Sequence, residues 1–193
     1  GLTPAPTTAL IAKAASVRYH IPFGGSVQMQ YTADVGEAFV RASEVKDYES
    51  WRMISSSMPD DESGCGSSKA PGCIKSIVGN SALVKAYHEG IPNNGKPVPD
   101  GAAFAKIEWA KMRDAHSPYV AFVPGALAEV AFMMKDSKRF PKTNGWGYAT
   151  FQYDAAKDTW TAKGDNPEFV NACHACHTVV RARDYVFTDY PKR

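Results

Sequence analysis

The spacing of apolar residues predicts several short strands and few helices. Helical spacing predicts one short helix over residues 81–89, which Gly79-Asn80 caps and Gly90 closes. Alternation of apolar and polar positions predicts strands over residues 74–78, 103–109, 128–134, 146–153 and 159–162. The last two strands are expected to form a hairpin. Together these elements predict an α+β fold that is sheet-dominated, with an antiparallel β-sheet and a few flanking helices.

Three further segments have weaker patterns. Residues 10–17 predict a short helix, which the proline and glycines that follow prevent from continuing. Residues 34–54 keep roughly helical apolar spacing and predict one or two amphipathic helices. Residues 185–187 predict a last short extended piece.

Length and charge narrow the class of protein. The chain has 193 residues, enough for one domain with a sizeable core. Residues 1–30 are expected to form a partly loose N-terminal extension, and residues 31–193 a single domain. The formal net charge is +2 without a basic run, so neither nucleic acid nor an anionic membrane is a favoured partner. No apolar run reaches the length of a membrane span.

The most informative motif is Cys173-His174-Ala175-Cys176-His177, the C-x-x-C-H pattern of covalent c-type haem attachment. Cys173 and Cys176 share one helical turn, where each can form a thioether with a haem vinyl group. His177 follows immediately and can bind the iron. Because an Asp-Asn-Pro stretch at residues 165–167 suits a helix start, the motif predicts a C-terminal haem-attachment helix.

Zinc and thiol-redox sites share parts of this motif. A zinc site normally brings a second C-x-x-C or a spaced histidine pair. The remaining cysteines, Cys65 and Cys73, instead flank a loop rich in Gly, Ser and Pro. A thioredoxin-like pair should follow a strand in a βαβ unit, and the pattern predicts no such unit here. Haem is therefore favoured over both.

The same two cysteines bear on localisation. The loop between Cys65 and Cys73 is flexible enough to close a disulfide, with two free thiols as the alternative. Covalent haem together with a disulfide indicates a bacterial periplasm. The chain starts with Gly1 and shows no signal-peptide pattern, which fits either a processed or a trimmed chain.

Several motifs in a fixed order indicate a family. They are Pro99-Asp100-Gly101, Ala105-Lys106-Ile107, Lys135-Asp136-Ser137-Lys138-Arg139-Phe140-Pro141, Gly145-Trp146-Gly147-Tyr148, the haem motif and Asp184-Tyr185-Val186-Phe187-Thr188. Over roughly residues 48–188 the chain resembles cytochrome P-460, a family of periplasmic c-type cytochromes of ammonia- and methane-oxidising bacteria. The resemblance implies a homodimeric antiparallel-sheet fold. It also implies oxidation of hydroxylamine through an iron-nitrosyl species to nitrous oxide or nitrite, with an external electron acceptor such as another cytochrome.

The resemblance further implies haem P-460, a haem c with an additional covalent bond from a lysine to the porphyrin. Lys106 matches that lysine, and Phe104 on the same strand face is expected to contact the haem. An exposed strand lysine is the alternative suggested by the residues alone. Lys111, Lys135 and Lys138 are weaker candidates for the cross-link.

The resemblance also implies an open distal iron position with a carboxylate close by. Ala131 occupies the matching position, which predicts slowed chemistry. Glu129 lies on the same strand face and could substitute, although it is displaced by roughly 6–7 Å along the strand. The distal pocket is expected to be lined by Ala131, Phe132 or Met133, and Arg181 is expected to pair with a haem propionate.

Two other haem functions stay open. A gas-binding cytochrome of the c-prime-beta type, which binds nitric oxide, resembles this fold but lacks the lysine bond. A plain electron-transfer cytochrome requires a second strong axial ligand.

Overall fold

The computed structural model describes residues 16–21, 25–30, 38–59, 72–163 and 166–191. Its two helices are α1 (Ser81–His88) and α2 (Pro167–His177). The strands are β1 (Ser16–Ile21), β2 (Gly25–Gln30), β3 (Arg52–Ser57), β4 (Cys73–Gly79), β5 (Ala103–Arg113), β6 (Phe122–Lys135), β7 (Trp146–Asp154) and β8 (Thr159–Ala162).

The main sheet is an antiparallel meander of β3 to β8 in chain order, and β1 and β2 form a separate hairpin. Consecutive strands pair as neighbours, so each connection is local. The sheet confirms the predicted α+β class and the five predicted strands. β5 and β6 are longer than predicted, because the two strands stay paired with each other beyond the ends of their neighbouring strands. The register of this pairing shifts near Trp109.

The strand register defines two faces of the sheet. Lys106 lies opposite Ile77 of β4 and Ala131 of β6, and Ala131 lies opposite Thr150 of β7. Directly opposed residues of antiparallel strands point to the same side of the sheet. We call this side the Lys106 face and the other side the Phe132 face.

The Lys106 face carries the larger core. α1 contacts β3, β4 and β5, and α2 contacts β7. Phe104, Trp146 and Tyr148 of the sheet are buried in one cluster with Val170 of α2 and Val186 of the chain that follows. α2, the predicted haem-attachment helix, therefore packs against the face that bears Lys106.

The Phe132 face has a smaller core. Residues 40–51 cover it, and they place Tyr48 and Trp51 edge-on against the ring of Phe132. Ala105 and Val130 are fully buried beneath this layer.

The helix predicted over residues 81–89 and the helix predicted at the C-x-x-C-H motif are present, and both begin at asparagine caps. The Asn80 side-chain oxygen accepts the Leu83 N–H at 3.1 Å, and Asn166 accepts the Phe169 N–H at 2.9 Å. Pro167 stands in the first turn of α2, where a missing N–H costs nothing. Among the described residues, no helix has the length and apolar character that crossing a bilayer requires.

Two predicted elements were wrong. Residues 38–54 form short 3-10 turns at Ala42–Glu44 and Tyr48–Ser50 and then begin β3, because their apolar residues cover a sheet face instead of forming a helical stripe. Residues 185–187 form no strand; Tyr185 has a left-handed φ of 66°, which interrupts an extended chain. The prediction for residues 10–17 falls largely outside the described residues, and β1 begins at Ser16.

Candidate functional site

The end of α2 brings the C-x-x-C-H residues to the Lys106 face. Both thiols are free, and Cys173 packs against the core of this face whereas Cys176 is exposed. Burial raises the pKa of the Cys173 thiol to about 12 and raises the pKa of Cys176 as well. The two side chains are placed on one turn, as attachment to two haem vinyl groups requires.

His177 is held in one tautomer. Its Nδ1 lies 2.7 Å from the backbone oxygen of Tyr185, and a carbonyl can only accept, so Nδ1–H donates. The lone pair therefore lies on Nε2, the nitrogen that can bind iron. Burial lowers the pKa of His177 to about 4, which keeps the ring neutral at pH 7. Two thiols and one neutral imidazole of this tautomer fit a c-type haem.

Aromatic rings surround the motif. Phe187 packs edge-on against His177 at 4.8 Å between ring centroids, and Tyr148 lies 5.6 Å from it. His174 stacks on Tyr185, and its Nδ1 lies 2.9 Å from the Tyr148 hydroxyl. The ring of His174 is thus engaged beside the helix, and burial lowers the pKa of this side chain.

Lys106 lies close to the motif. Its positive charge lowers the pKa of Cys173, of Cys176 and of His177, although burial acts more strongly on all three. The structure therefore places the predicted cross-linking lysine within electrostatic range of the predicted haem-attachment residues. The Lys106 side chain is 39% exposed, and its Nζ lies 2.6 Å from a carboxylate oxygen of Glu108.

Phe104 lies on the Lys106 face, and its ring packs against Tyr87 and Trp146 in the core. Its contact with a haem stays a prediction. Lys106 on the same strand forms an ion pair with Glu108.

Glu108 is the residue of this site that the sequence prediction missed. Its side chain is only 3% exposed, and the same oxygen that contacts Lys106 lies 3.5 Å from Lys75 Nζ. The available signal was the strand period: Glu108 stands two positions after Lys106 and on the same face, between the apolar residues Ile107 and Trp109. An acidic residue in such a strand indicates a paired buried charge.

The two predicted distal residues are both on the Lys106 face. Ala131 is directly opposite Lys106, and Glu129 is directly opposite Glu108. Glu129 is buried and accepts from Lys163 Nζ at 3.2 Å. Its negative charge raises the pKa of Cys173, so Glu129 belongs to the electrostatic surroundings of the motif.

Phe132 and Met133 are separated by the sheet. Met133 lies on the Lys106 face beside the core that includes Cys173. Phe132 lies on the opposite side of the sheet, where its ring contacts those of Tyr48 and Phe151. The structure thus does not bring Phe132 to the haem motif, because neighbouring residues of a strand point to opposite sides.

The basic candidates have separate positions. Arg181 is exposed on the 3-10 turn that follows α2. Arg183 is engaged with Asp189 and with the backbone oxygens of Phe187 and Thr188. Of the weaker cross-link candidates, Lys111 lies over the Phe122 ring, Lys138 is exposed and Lys135 pairs with Asp184.

Other cysteines and histidines lie away from the motif. Cys73 is buried at the start of β4, and its predicted disulfide partner Cys65 lies outside the described residues, so that pairing stays a prediction. His88 and His116 are exposed. Within the described ranges, no three His, Cys, Asp or Glu side chains converge as a zinc site requires.

Comparison with known proteins adds one finding. The family model described as Cytochrome P460 matches residues 45–188. No curated protein matches the chain significantly. The matched region includes every site residue described above, from Lys75 on β4 to Phe187.

Proposed function

Because this chain belongs to the cytochrome P460 family, and is therefore a c-type haem protein, we propose that it oxidises hydroxylamine on the Lys106 face. The observation that carries the proposal is the placement of Lys106: its charge acts on Cys173, Cys176 and His177. A lysine beside the haem-attachment residues is what a third covalent bond to the porphyrin requires. The haem, held by these residues, would supply an iron that binds hydroxylamine and accepts its electrons.

The chain's own contribution begins with binding. Cys173 and Cys176 would hold the haem through thioethers, and His177 Nε2 would bind the iron from the α2 side. Lys106 would form the third covalent bond. Starting from the Lys106 ammonium, that bond would replace one N–H and one C–H and would release three protons and two electrons, the electrons passing to an oxidant such as a peroxide.

The second contribution is proton removal. Two protons leave with two electrons for each hydroxylamine converted to nitrous oxide, and more of both leave on the way to nitrite, so a nearby base helps. Glu108 is our candidate, because it is the carboxylate in contact with Lys106. Once Lys106 is bonded to the haem it is no longer an ammonium, and a buried carboxylate with fewer cationic partners accepts a proton more readily.

Glu129 and Ala131 take lesser roles in this proposal. Glu129 already pairs with Lys163 at the β8 end of the site. Ala131 provides no polar group opposite Lys106. We therefore expect activity that depends on Glu108 and is slower than in a site with a carboxylate at position 131.

Two other functions are favoured by single features. A gas-binding protein of the c-prime-beta type would leave Lys106 in its ion pair with Glu108, which is the arrangement of the protein atoms. An electron carrier could use Met133, the described methionine that lies on the Lys106 face next to the core containing Cys173. A low-spin, six-coordinate spectrum of the reduced protein would identify the electron carrier.

Mass spectrometry combined with kinetics tests the proposal. A tryptic digest should contain haem joined to both the Cys173/Cys176 peptide and the Lys106 peptide, and hydroxylamine should reduce an artificial oxidant. Lys106→Arg should keep the thioethers but lose the third link and most of the turnover. Lys111→Arg, on the same strand beside Phe122, is the matched control and should keep both. An unmodified Lys106 peptide in the wild-type protein would favour gas binding instead.

Cellular context completes the proposal. We expect a periplasmic homodimer that passes electrons to another cytochrome, with Cys65 and Cys73 oxidised. Sedimentation should give twice the mass of one chain, and a monomer at working concentration would contradict the homodimer.

A further inference from the structure

The carbonyl that holds His177 belongs to an unusual turn. Asp184 and Tyr185 are consecutive residues with left-handed backbone angles, φ 48° and 66°. Neither is glycine, and L side chains adopt this conformation rarely. Such a turn persists only where its surroundings hold it in place.

A buried ion pair holds this turn. Lys135 Nζ lies 2.9 Å from both carboxylate oxygens of Asp184, and the side chains are only 6% and 14% exposed. The Val98 N–H donates to the same carboxylate at 2.8 Å. The indole N–H of Trp146 donates to the Asp184 backbone oxygen at 2.9 Å. Three separate parts of the chain thus converge on one residue of the turn.

Lys135 is itself fixed in position. Its Nζ donates to the Asn144 backbone oxygen at 2.9 Å and lies 4.8 Å from the centre of the Trp146 ring. Gly145 has φ 84° and packs closely on it, since an added Cβ would come within 3.1 Å of Lys135 Cε. The lysine therefore has one arrangement, which points its charge at Asp184.

We propose that Lys135 and Asp184 are positioning residues for the iron ligand. Their ion pair holds the turn, the turn places the Tyr185 carbonyl 2.7 Å from His177 Nδ1, and that hydrogen bond sets how strongly the imidazole donates to iron. Hydrogen-bond donation from the far ring nitrogen orients a metal-binding histidine and raises its basicity. The inference requires that His177 binds iron, but it does not require hydroxylamine as the substrate.

The position of the pair argues against a role in the haem pocket itself. Lys135 ends β6, and its Nζ donates to the Asn144 backbone oxygen before β7 and to the Asp184 carboxylate in the turn after α2. The same carboxylate accepts the Val98 N–H. The hydrogen bonds of both side chains are with one another and with this framework. Their route to the iron therefore runs through the Tyr185 backbone.

Resonance Raman spectroscopy of the haem-loaded ferrous protein tests this. Asp184→Asn keeps an oxygen for Val98 and tolerates the left-handed conformation but removes the ion pair; Lys135→Met removes it from the other side. Both should lower the iron–histidine stretching frequency. A weaker imidazole donor stabilises ferric iron less. If the equilibrium constant that favours ferric over ferrous haem falls tenfold, the midpoint potential rises by about 59 mV for this one-electron couple.

The control separates positioning from stability. Arg139→Gln breaks a partly buried ion pair to Glu44 near the β6–β7 connection but leaves the contacts of Tyr185 in place. It should weaken the fold without moving the stretching band or the potential. If the two charge variants unfold more easily but keep the wild-type band and potential, the pair is merely structural and the proposal is wrong.

A further variant tests the proposal if Asp184→Asn or Lys135→Met does not fold. Trp146→Phe keeps an aromatic, although smaller, side chain in the core but removes the N–H that donates to the Asp184 backbone oxygen. A smaller shift of the band in the same direction is expected, and an unchanged band would contradict the proposal. Hydroxylamine turnover is measured separately, so the failure of either proposal leaves the other testable.

Discussion

Two charged side chains on β5 have the main roles in the reaction that we propose. Lys106 and Glu108 are two positions apart, so a single strand presents both to the same side. Burial of Glu108 is tolerated because two ammonium groups, from Lys75 and Lys106, lie within 3.5 Å of one oxygen. A covalent bond from Lys106 to haem would remove one of these partners and leave a buried base at the site.

Replacing that base should slow catalysis. Glu108→Gln keeps the shape of the side chain but cannot accept a proton, so we expect kcat for hydroxylamine to fall by about 100-fold. The measurement is steady-state reduction of an artificial oxidant, after mass spectrometry shows all three haem links. Glu129→Gln is the matched control; a larger loss in that variant would assign the base to Glu129 instead.

Adding a carboxylate should have the opposite effect. Ala131 lies directly opposite Lys106, so Ala131→Glu places a second base beside the cross-linking residue. We expect Ala131→Glu to have a higher hydroxylamine turnover than the wild-type protein. Ala131→Gln adds a side chain of similar size without a base and should give no such increase. An unchanged rate in Ala131→Glu with intact haem would contradict the proposal that a carboxylate at position 131 speeds the reaction.

The helices and turns of this protein hold the site residues in position. α2 starts at an asparagine cap and ends at His177, and the 3-10 turn after it returns Tyr185 to the histidine ring. Residues 40–45 serve the opposite side, where they cover the Phe132 face, and residues 38–39 before them pack against the core of the Lys106 face. Arg139 connects this segment to the β6–β7 connection through Glu44 and the backbone oxygen of Phe39.

The attachment of residues 38–45 should depend on pH. The hydrogen bond from Arg139 holds the pKa of Glu44 below its ordinary value of 4.5. A carboxyl group with a lowered folded-state pKa stabilises the fold above the unfolded-state pKa, and this stabilisation is lost as the pH falls through the folded-state value. Arg139→Gln should therefore cost about 1 kcal/mol of unfolding free energy at pH 7.

Urea unfolding at several pH values checks this expectation. The difference between the wild-type protein and Arg139→Gln should shrink as the pH falls below 4.5. Lys157→Gln is a suitable control, because it removes an exposed ion pair with Asp154 and should have almost no effect. A difference that stays constant down to pH 2.5 would show that Arg139 acts through packing alone.

The molecule as a whole is a meander with function on one side. The Lys106 face carries the haem-attachment helix, the positioning ion pair and the charged cluster of β5 and β6. The Phe132 face carries a separate apolar core. A haem seated between α2 and the Lys106 face would add apolar surface to the larger core.

Removal of the haem should therefore destabilise the whole molecule. Cys173→Ser/Cys176→Ser removes both thioether positions, and the haem-free chain should unfold at least roughly 4–8 °C lower, equivalent to about 2 kcal/mol. Thermal unfolding followed by circular dichroism measures this. Lys106→Arg, which retains the thioethers, should keep most of the stability. Equal melting temperatures for the haem-free and haem-loaded chains would show that the haem contributes nothing to the core.

Local patterns in the sequence were sufficient for the central strands, α1 and α2. The two-residue period predicted that Phe104, Lys106 and Glu108 share a face, because alternation along a strand is a property of the backbone itself. The spacing of Cys173, Cys176 and His177 likewise specified the haem-attachment turn. Residues 38–54 were predicted wrongly because their apolar spacing fits a helix and a layer over a sheet equally well.

Only the tertiary structure decided which residues meet. Phe132 and Met133 are adjacent in sequence, yet the sheet places only Met133 against the core of the Lys106 face. Glu129 and Glu108 oppose one another through the register of β5 and β6, which no single strand reveals. The pairing of Lys135 with Asp184 joins residues 49 positions apart. Local pattern determines how each element faces, whereas long-range packing determines which charges become partners.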